Sequence, residues 1–299
     1  MTDHVLTLIS ATRDGLAAET VDAIRDAMRN LGADVGRPDW LAAGMVCDLG
    51  FADLNDDQAD AAARAILGDT PVDVLAQPTA ERRKRLLIAD MESTLIENEM
   101  LDELADYVGK RAEIAAITAR AMNGELDFRG ALDARVSLLA GLPDSVLGES
   151  AKLIRYMPGA AALIATMQAN GARTAIVSGG FDCYTGLVAG KLGVGQNFGN
   201  RLEIKRGKLT GKVVPPVLGR EAKLETLVRL AAEFSLPLAA TLATGDGAND
   251  LDMIGAAGLG VAFRAKPIVA SQAKWRVMHG DLTALLYAQG YREGEIVAA

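Results

Sequence analysis

Leu86-Leu87-Ile88-Ala89-Asp90-Met91-Glu92-Ser93-Thr94 runs four apolar residues straight into a carboxylate. An apolar run without alternation reads as a strand buried on both faces of a parallel sheet. In an open α/β sheet, ligands bind at the carboxyl ends of the strands. A carboxylate placed there can serve as a nucleophile, a metal ligand or both. Taken alone, Asp-x-Glu-x-Thr reads equally well as a strand followed by an Asp helix cap. Two further stretches add to it. Residues 172–177 form a second apolar run that ends in Ser178-Gly179-Gly180, and residues 238–244 form a third that ends in Gly245-Asp246-Gly247-Ala248-Asn249-Asp250. Each ending alone reads as a turn or an N-cap. All of them together, each after an apolar run, point to one site.

Outward from these strands the chain alternates strand and helix. Residues 197–214 read as a hairpin around Arg206-Gly207-Lys208, and residues 219–234 as a helix with Lys223 in its first turn. Residues 259–263 read as a further buried strand and 274–278 as the last. That alternation predicts an α/β fold with a doubly wound parallel sheet. Between the first strand and a helix at 160–170, the pattern gives helices over 97–108, 111–123, 128–140 and 143–156, each followed by Gly or Pro. Such a helical insertion is placed to cap the carboxyl end of the sheet. Residues 4–78 read as β-α-β-β-α-β, with strands at 4–10, 33–40, 44–51 and 72–76 and helices at 15–31 and 55–67. That order predicts a ferredoxin-like α+β domain. It resembles the ACT type of regulatory module, with Asp14-Gly15-Leu16 where such modules place a ligand loop; a turn Gly and a capping Asp explain the same residues. The expected division is 1–80 for this domain, 81–96 and 171–299 for the α/β core, and 97–170 for the cap. Pro78 and the charge run Arg82-Arg83-Lys84-Arg85 read as a linker with a solvated basic surface.

Composition narrows the chemistry. The chain has 299 residues, is 50% hydrophobic and 23% charged, and carries a net charge of −8. An acidic whole without a basic face argues against a nucleic-acid partner. No apolar run approaches the roughly 20 residues that span a bilayer, and the N-terminus lacks a signal-peptide layout. Membrane partners are therefore not expected, and a homodimer is left open. Cys47 and Cys183 are the only cysteines, which suits a reduced cytoplasmic protein. His4 and His279 are the only histidines, so carboxylates, Lys, Arg and Ser must carry any chemistry.

The polar strand ends suit phosphoryl transfer. Asp90 and Asp246 offer hard oxygen ligands for one Mg²⁺. Lys223 can neutralise phosphate charge, while Ser178 and the N–H groups of Gly179 and Gly180 can donate to phosphate oxygens. Asp90 can attack phosphorus to form an aspartyl-phosphate. On Asp90-Met91-Glu92-Ser93-Thr94, Ser178-Gly179-Gly180-Phe181, Lys223 and Gly245-Asp246-Gly247-Ala248-Asn249-Asp250, the chain resembles the haloacid dehalogenase superfamily of phosphatases over about residues 85–290.

Within that superfamily the resemblance is to members acting on phosphorylated amino acids. It implies Mg²⁺-dependent hydrolysis of L-phosphoserine to L-serine and phosphate, in serine biosynthesis. It assigns catalysis to Asp90, Glu92, Ser178 and Lys223, and metal binding to Asp90, the Glu92 backbone carbonyl, Asp246 and Asp250. Substrate binding falls to Glu99 for the ammonium, Arg135 for the carboxylate, Met122 and Phe128 as apolar closers, and Ser178, Gly179, Gly180, Lys223 and Asn249. Surface ion pairs and helix packing are the competing explanations for the cap residues. A phosphatase for another small phosphorylated amino acid, or a non-catalytic amino-acid-binding regulator, are the alternatives. One residue departs from the family pattern: Glu92 stands where an Asp general acid is expected, on an arm one methylene longer.

Overall fold

A computed structural model describes residues 2–122 and 125–298, apart from the side chains at 119, 121 and 122. The first unit runs β1 His4–Ser10, α1 Ala18–Asn30, β2 Asp34–Val35, β3 Asp39–Ala42, β4 Val46–Ala52, α2 Asp56–Leu67 and β5 Val72–Pro78. Its strands lie in the order β2-β4-β1-β5, with β1 antiparallel to both neighbours, which is the ferredoxin-like arrangement. The strand predicted over 33–40 is instead two short ones, β2 and β3, separated by Gly36-Arg37-Pro38; proline lacks the N–H a ladder needs. Val21, Ile24 and Met28 put the buried stripe of α1 on the sheet, and Asn55 caps α2 through a capping box with Gln58.

The second unit carries β6 Leu86–Ala89, then α3 Met100–Asp106, α4 Arg111–Met122, α5 Phe128–Ser137 and α6 Ser145–Ala151. After these come α7 Ala160–Ala169, β7 Arg173–Phe181, α8 Asp182–Leu192, β8 Gln196–Lys205 and β9 Lys208–Val214. The chain ends with α9 Arg220–Glu233, β10 Thr241–Gly245, α10 Leu251–Ala256, β11 Leu259–Phe263, α11 Pro267–Gln272, β12 Trp275–Val277 and α12 Ala284–Ala288. The sheet order is β12-β11-β10-β6-β7-β8-β9, parallel except where β9 folds back on β8. β6 therefore has β10 on one side and β7 on the other. The crevice at its carboxyl end is the switch point where such sheets bind ligands.

The cap grows from a crossing of two segments. Glu97 N–H donates to Arg155 O at 2.8 Å, and Met157 N–H to Leu95 O at 2.9 Å. Farther along, Gly141 N–H donates to Leu209 O and Leu209 N–H to Leu142 O, both at 2.8 Å, so the cap also pairs with the edge strand β9. The predicted cap boundary at 170 moves back to this crossing near 157. Helix α7 buries Leu163, Ile164 and Met167 against β7 and α12 and belongs to the core layer.

Only part of the charge run is solvated: Arg83 and Arg85 are exposed, but Arg82 and Lys84 are not. Arg82 donates to both oxygens of buried Asp48 at 2.5 and 2.9 Å, to Thr7 Oγ1 at 2.8 Å and to Ala288 O at 2.9 Å. Lys84 is buried too, its ammonium on Glu81 O and Ala239 O. Ile9, Leu41, Ala42, Val46 and Leu75 of the first unit share one apolar cluster with Leu285, Leu286 and Tyr287 of the second. Replacing Arg82 by Ala leaves Asp48 buried and unpaired, a loss of about 3–5 kcal/mol. Arg83→Ala, at an exposed pair with Glu295, should cost under about 1 kcal/mol. Denaturant midpoints of the two variants check this, and equal shifts would contradict a structural role for the buried Arg82–Asp48 pair.

Candidate active site

Asp90 is the first residue beyond β6, and its N–H donates to Thr244 O at 3.0 Å, which fixes it against β10. Lys223, in the first turn of α9, is buried beneath it. Lys223 Nζ donates to Asp250 Oδ1 at 2.5 Å and lies 2.9 Å from Asp90 Oδ1. Lys223 and Asp90 thus form a buried ion pair through Asp90 Oδ1. Asp250 Oδ2 accepts the Gly247 N–H at 2.9 Å, so Asp250 orients the lysine and is itself held by the turn after β10. Asp90, Asp246 and Asp250 each bring an oxygen within 4.8 Å of the others.

Carboxylates thus outnumber the one buried ammonium. Burial pushes Asp90 up to about 7 against the pull of Lys223, and pushes Asp246 up to about 6. Burial works to lower Lys223, but Asp90 and Asp250 outweigh it and hold the ammonium above its ordinary value. Excess negative charge on clustered hard oxygens suits a cation.

The other strand end faces the same crevice. Ser178 Oγ at the end of β7 accepts the Gly180 N–H at 2.9 Å. Buried Asn200 holds this loop in place. Its amide donates to Gly179 O at 2.8 Å and its oxygen accepts the Leu218 N–H at 2.8 Å, which ties the loop to the segment leading into α9. Phe128, from α5 of the cap, lies over Gly179 and Gly219; a methyl on Gly179 would stand 3.4 Å from its ring.

Glu92 Oε1 accepts the Met100 N–H at 2.8 Å. Burial, then the charge of Glu99, pushes its carboxyl up to about 8. Glu99 is exposed at the start of α3 and accepts from Ser93 Oγ at 2.8 Å. Arg135 is half-buried on α5 and donates to Ala131 O at 3.1 Å; among the described residues it has no carboxylate partner. Burial holds its guanidinium below its ordinary value, although Glu92, Glu99 and Asp102 act to raise it.

The profile of the family described as haloacid dehalogenase-like hydrolase matches residues 87–254, from β6 through α10. The chain belongs to the haloacid dehalogenase-like hydrolases. A Streptomyces coelicolor protein named phosphoserine phosphatase is 40% identical over 297 residues, 98% of this chain and 72% of its own length. The solved structure of a probable phosphoserine phosphatase from Vibrio cholerae superposes with a TM-score of 0.78 at 30% identity, over 98% of this chain and 88% of that one. A structure described as a phospho-aspartyl intermediate analogue of phosphoserine phosphatase matches at 41% identity and a TM-score of 0.65, over 69% of this chain and 98% of that one.

In this hydrolase, Asp90, Lys223, Asp246 and Asp250 lie in one buried cluster, with Ser178, Gly179 and Gly180 on the neighbouring strand end. Asn249 sits half-buried in the turn after β10 and packs on Gly247. Phe128 and Arg135 come from the cap. The side chain of Met122 lies outside the described residues. Four features escaped the sequence reading. Asp250 spends both oxygens on Lys223 and Gly247. Lys266 Nζ reaches within 3.8 Å of Asp246. Asn200 braces the Ser178 loop, and the Met100 N–H holds Glu92. Only Lys266 had a sequence signal, as a polar residue just past the apolar strand at 259–263.

Proposed function

We infer that this chain hydrolyses L-phosphoserine to L-serine and phosphate through an aspartyl-phosphate on Asp90. The observation that carries the reading is Arg135: a half-buried guanidinium without a carboxylate partner among the described residues, on the cap above an aspartate cluster. A phosphorylated amino acid supplies the missing carboxylate, its phosphate suits Lys223 and the Ser178 loop, and its ammonium suits Glu99. The name carried by the relatives agrees with this substrate.

Asp90 attacks phosphorus through a carboxylate oxygen, and the phosphorus–serine oxygen bond breaks. Glu92, protonated at neutral pH by its raised pKa, gives its proton to the departing serine oxygen. The resulting carboxylate then takes a proton from water as that water attacks the aspartyl-phosphate, which frees phosphate and restores Asp90. Lys223 stays charged throughout and offsets the growing charge on the phosphoryl oxygens. Asp90, Asp246 and the Glu92 carbonyl would hold Mg²⁺, with Asp250 beside them, and a bound Mg²⁺ would polarise the phosphoryl group. Two free thiols support a reducing cytoplasmic setting.

Phosphate release across a panel of phosphorylated amino acids and sugars tests the reading. Phosphoserine should be turned over fastest, with activity lost on chelation and regained with Mg²⁺. Preference for a sugar phosphate would overturn the substrate. Arg135→Ala should raise the KM for phosphoserine about tenfold or more, because a charge-assisted bidentate pair contributes roughly 1.5–3 kcal/mol. The KM for p-nitrophenyl phosphate, which lacks the carboxylate, should hold. Equal losses on both would make Arg135 structural.

A further inference from the structure

Glu92 carries one methylene more than the aspartate expected at its position, and the structure contains what that length requires. On one side its Oε1 accepts the Met100 N–H at 2.8 Å, from the first residue of α3. On the other side it fills the space a side chain at position 180 would need. A methyl on Gly180 would stand 2.6 Å from Glu92 Oε2 and 3.0 Å from its Cδ. Gly180 does not have a positive φ, so its backbone does not itself demand glycine. Its side of the crevice is open for the carboxylate.

We propose that the Met100 N–H and the bare Cα of Gly180 form a seat that positions a glutamate, in place of the shorter aspartate, as the acid–base group of this site. A glutamate has one more rotatable bond than an aspartate and reaches more positions. A fixed donor on one side and backbone on the other reduce those positions to one, as acid–base transfer over hydrogen-bond distance requires. An aspartate at position 92, one methylene shorter, would depend less on the Met100 N–H and on the space at Gly180. Met100 and Gly180 are thus positioning residues, acting through Glu92. The proposal rests on the aspartyl-phosphate reading above.

Two substitutions test the two sides of the seat, each measured with glutamate and with aspartate at 92. Met100 is the first helical residue of α3, where proline fits without breaking the helix, and Glu99 before it is already extended. Met100→Pro and Met100→Ala both lose the buried side chain, but only the proline removes the N–H. With Glu92, kcat of Met100→Pro should fall roughly tenfold below that of Met100→Ala at similar KM, the scale of one hydrogen bond to a group that is neutral as the acid and charged as the base. In the Glu92→Asp background the two should agree within about threefold.

Gly180→Ala keeps the N–H and pushes the glutamate carboxylate aside. It should lower kcat by a similar factor with an unchanged melting temperature, and the loss should shrink when Glu92→Asp is added. Both cycles are run on phosphoserine and on p-nitrophenyl phosphate. An enzyme inactive on phosphoserine but active on the aryl phosphate would refute the substrate reading and leave the seat still readable. Equal kcat for Met100→Pro and Met100→Ala with Glu92 present would overturn the seat, as would a Gly180→Ala loss that Glu92→Asp does not relieve.

Discussion

Asp90→Asn should abolish phosphoserine turnover, by about 10⁴-fold or more, without unfolding the protein. An amide oxygen cannot form the acyl-phosphate. The substitution is nearly isosteric, and what it gives up is the ion pair with Lys223. Lys223 keeps its bond to Asp250. Stability should even rise in the metal-free protein. Burial holds the folded-state pKa of Asp90 up at about 7, above its value of 3.8 in the unfolded chain, so ionising it opposes folding. Its contribution to stability falls as pH rises from about 4 to about 7, and Asn removes that fall. Melting temperatures of both proteins between pH 4 and 8, with EDTA present, measure the difference. A variant that keeps full activity would remove Asp90 from the nucleophile role, and one that melts far lower would give it a structural one.

Glu92→Gln should slow kcat by about 10²–10⁴-fold, the usual contribution of a positioned general acid and base. The glutamine can still accept the Met100 N–H, so the geometry survives while the proton is lost. For the wild type, kcat/KM should fall as pH rises through about 8, because Glu92 must hold a proton to release serine. The Gln variant should lack that limb. Glu92→Asp should stay within about tenfold of wild type, since the reach and strain differences are each near 1 kcal/mol. A slow wild type, an inert Gln change and a large gain with Asp would instead mark Glu92 as a weakened active site.

The apolar runs made the catalytic strands legible because parallel strands are buried on both faces, and β6, β7, β10 and β11 all lie where those runs are. The same signal was present and unused in the first unit. Val5-Leu6-Thr7-Leu8-Ile9 does not alternate, and β1 is buried on both faces, because the sheet's second face packs on α12. A two-layer sheet with a wet face would alternate. The charge run misled for a related reason. Arg82 and Lys84 look solvated by composition, yet their partners are Asp48, Thr7 and backbone carbonyls far along the chain. No local pattern encodes such pairings.

In the candidate site, the residues proposed to bring the chemistry were readable as types at strand ends. Those that hold them, Asn200 and the Met100 N–H, are not. One is an ordinary residue in a hairpin strand, and the other is a backbone group that no side-chain pattern distinguishes.

The central claim is that phosphate passes through Asp90. Rapid quench of the enzyme in acid during turnover of phosphoserine with Mg²⁺, followed by peptide mass spectrometry, tests it most directly. The account predicts the mass of one phosphoryl group on the peptide containing residues 86–94, labile to hydroxylamine and absent from Asp90→Asn. An unmodified Asp90 peptide throughout turnover, or the phosphoryl group on Ser178 instead, would contradict it.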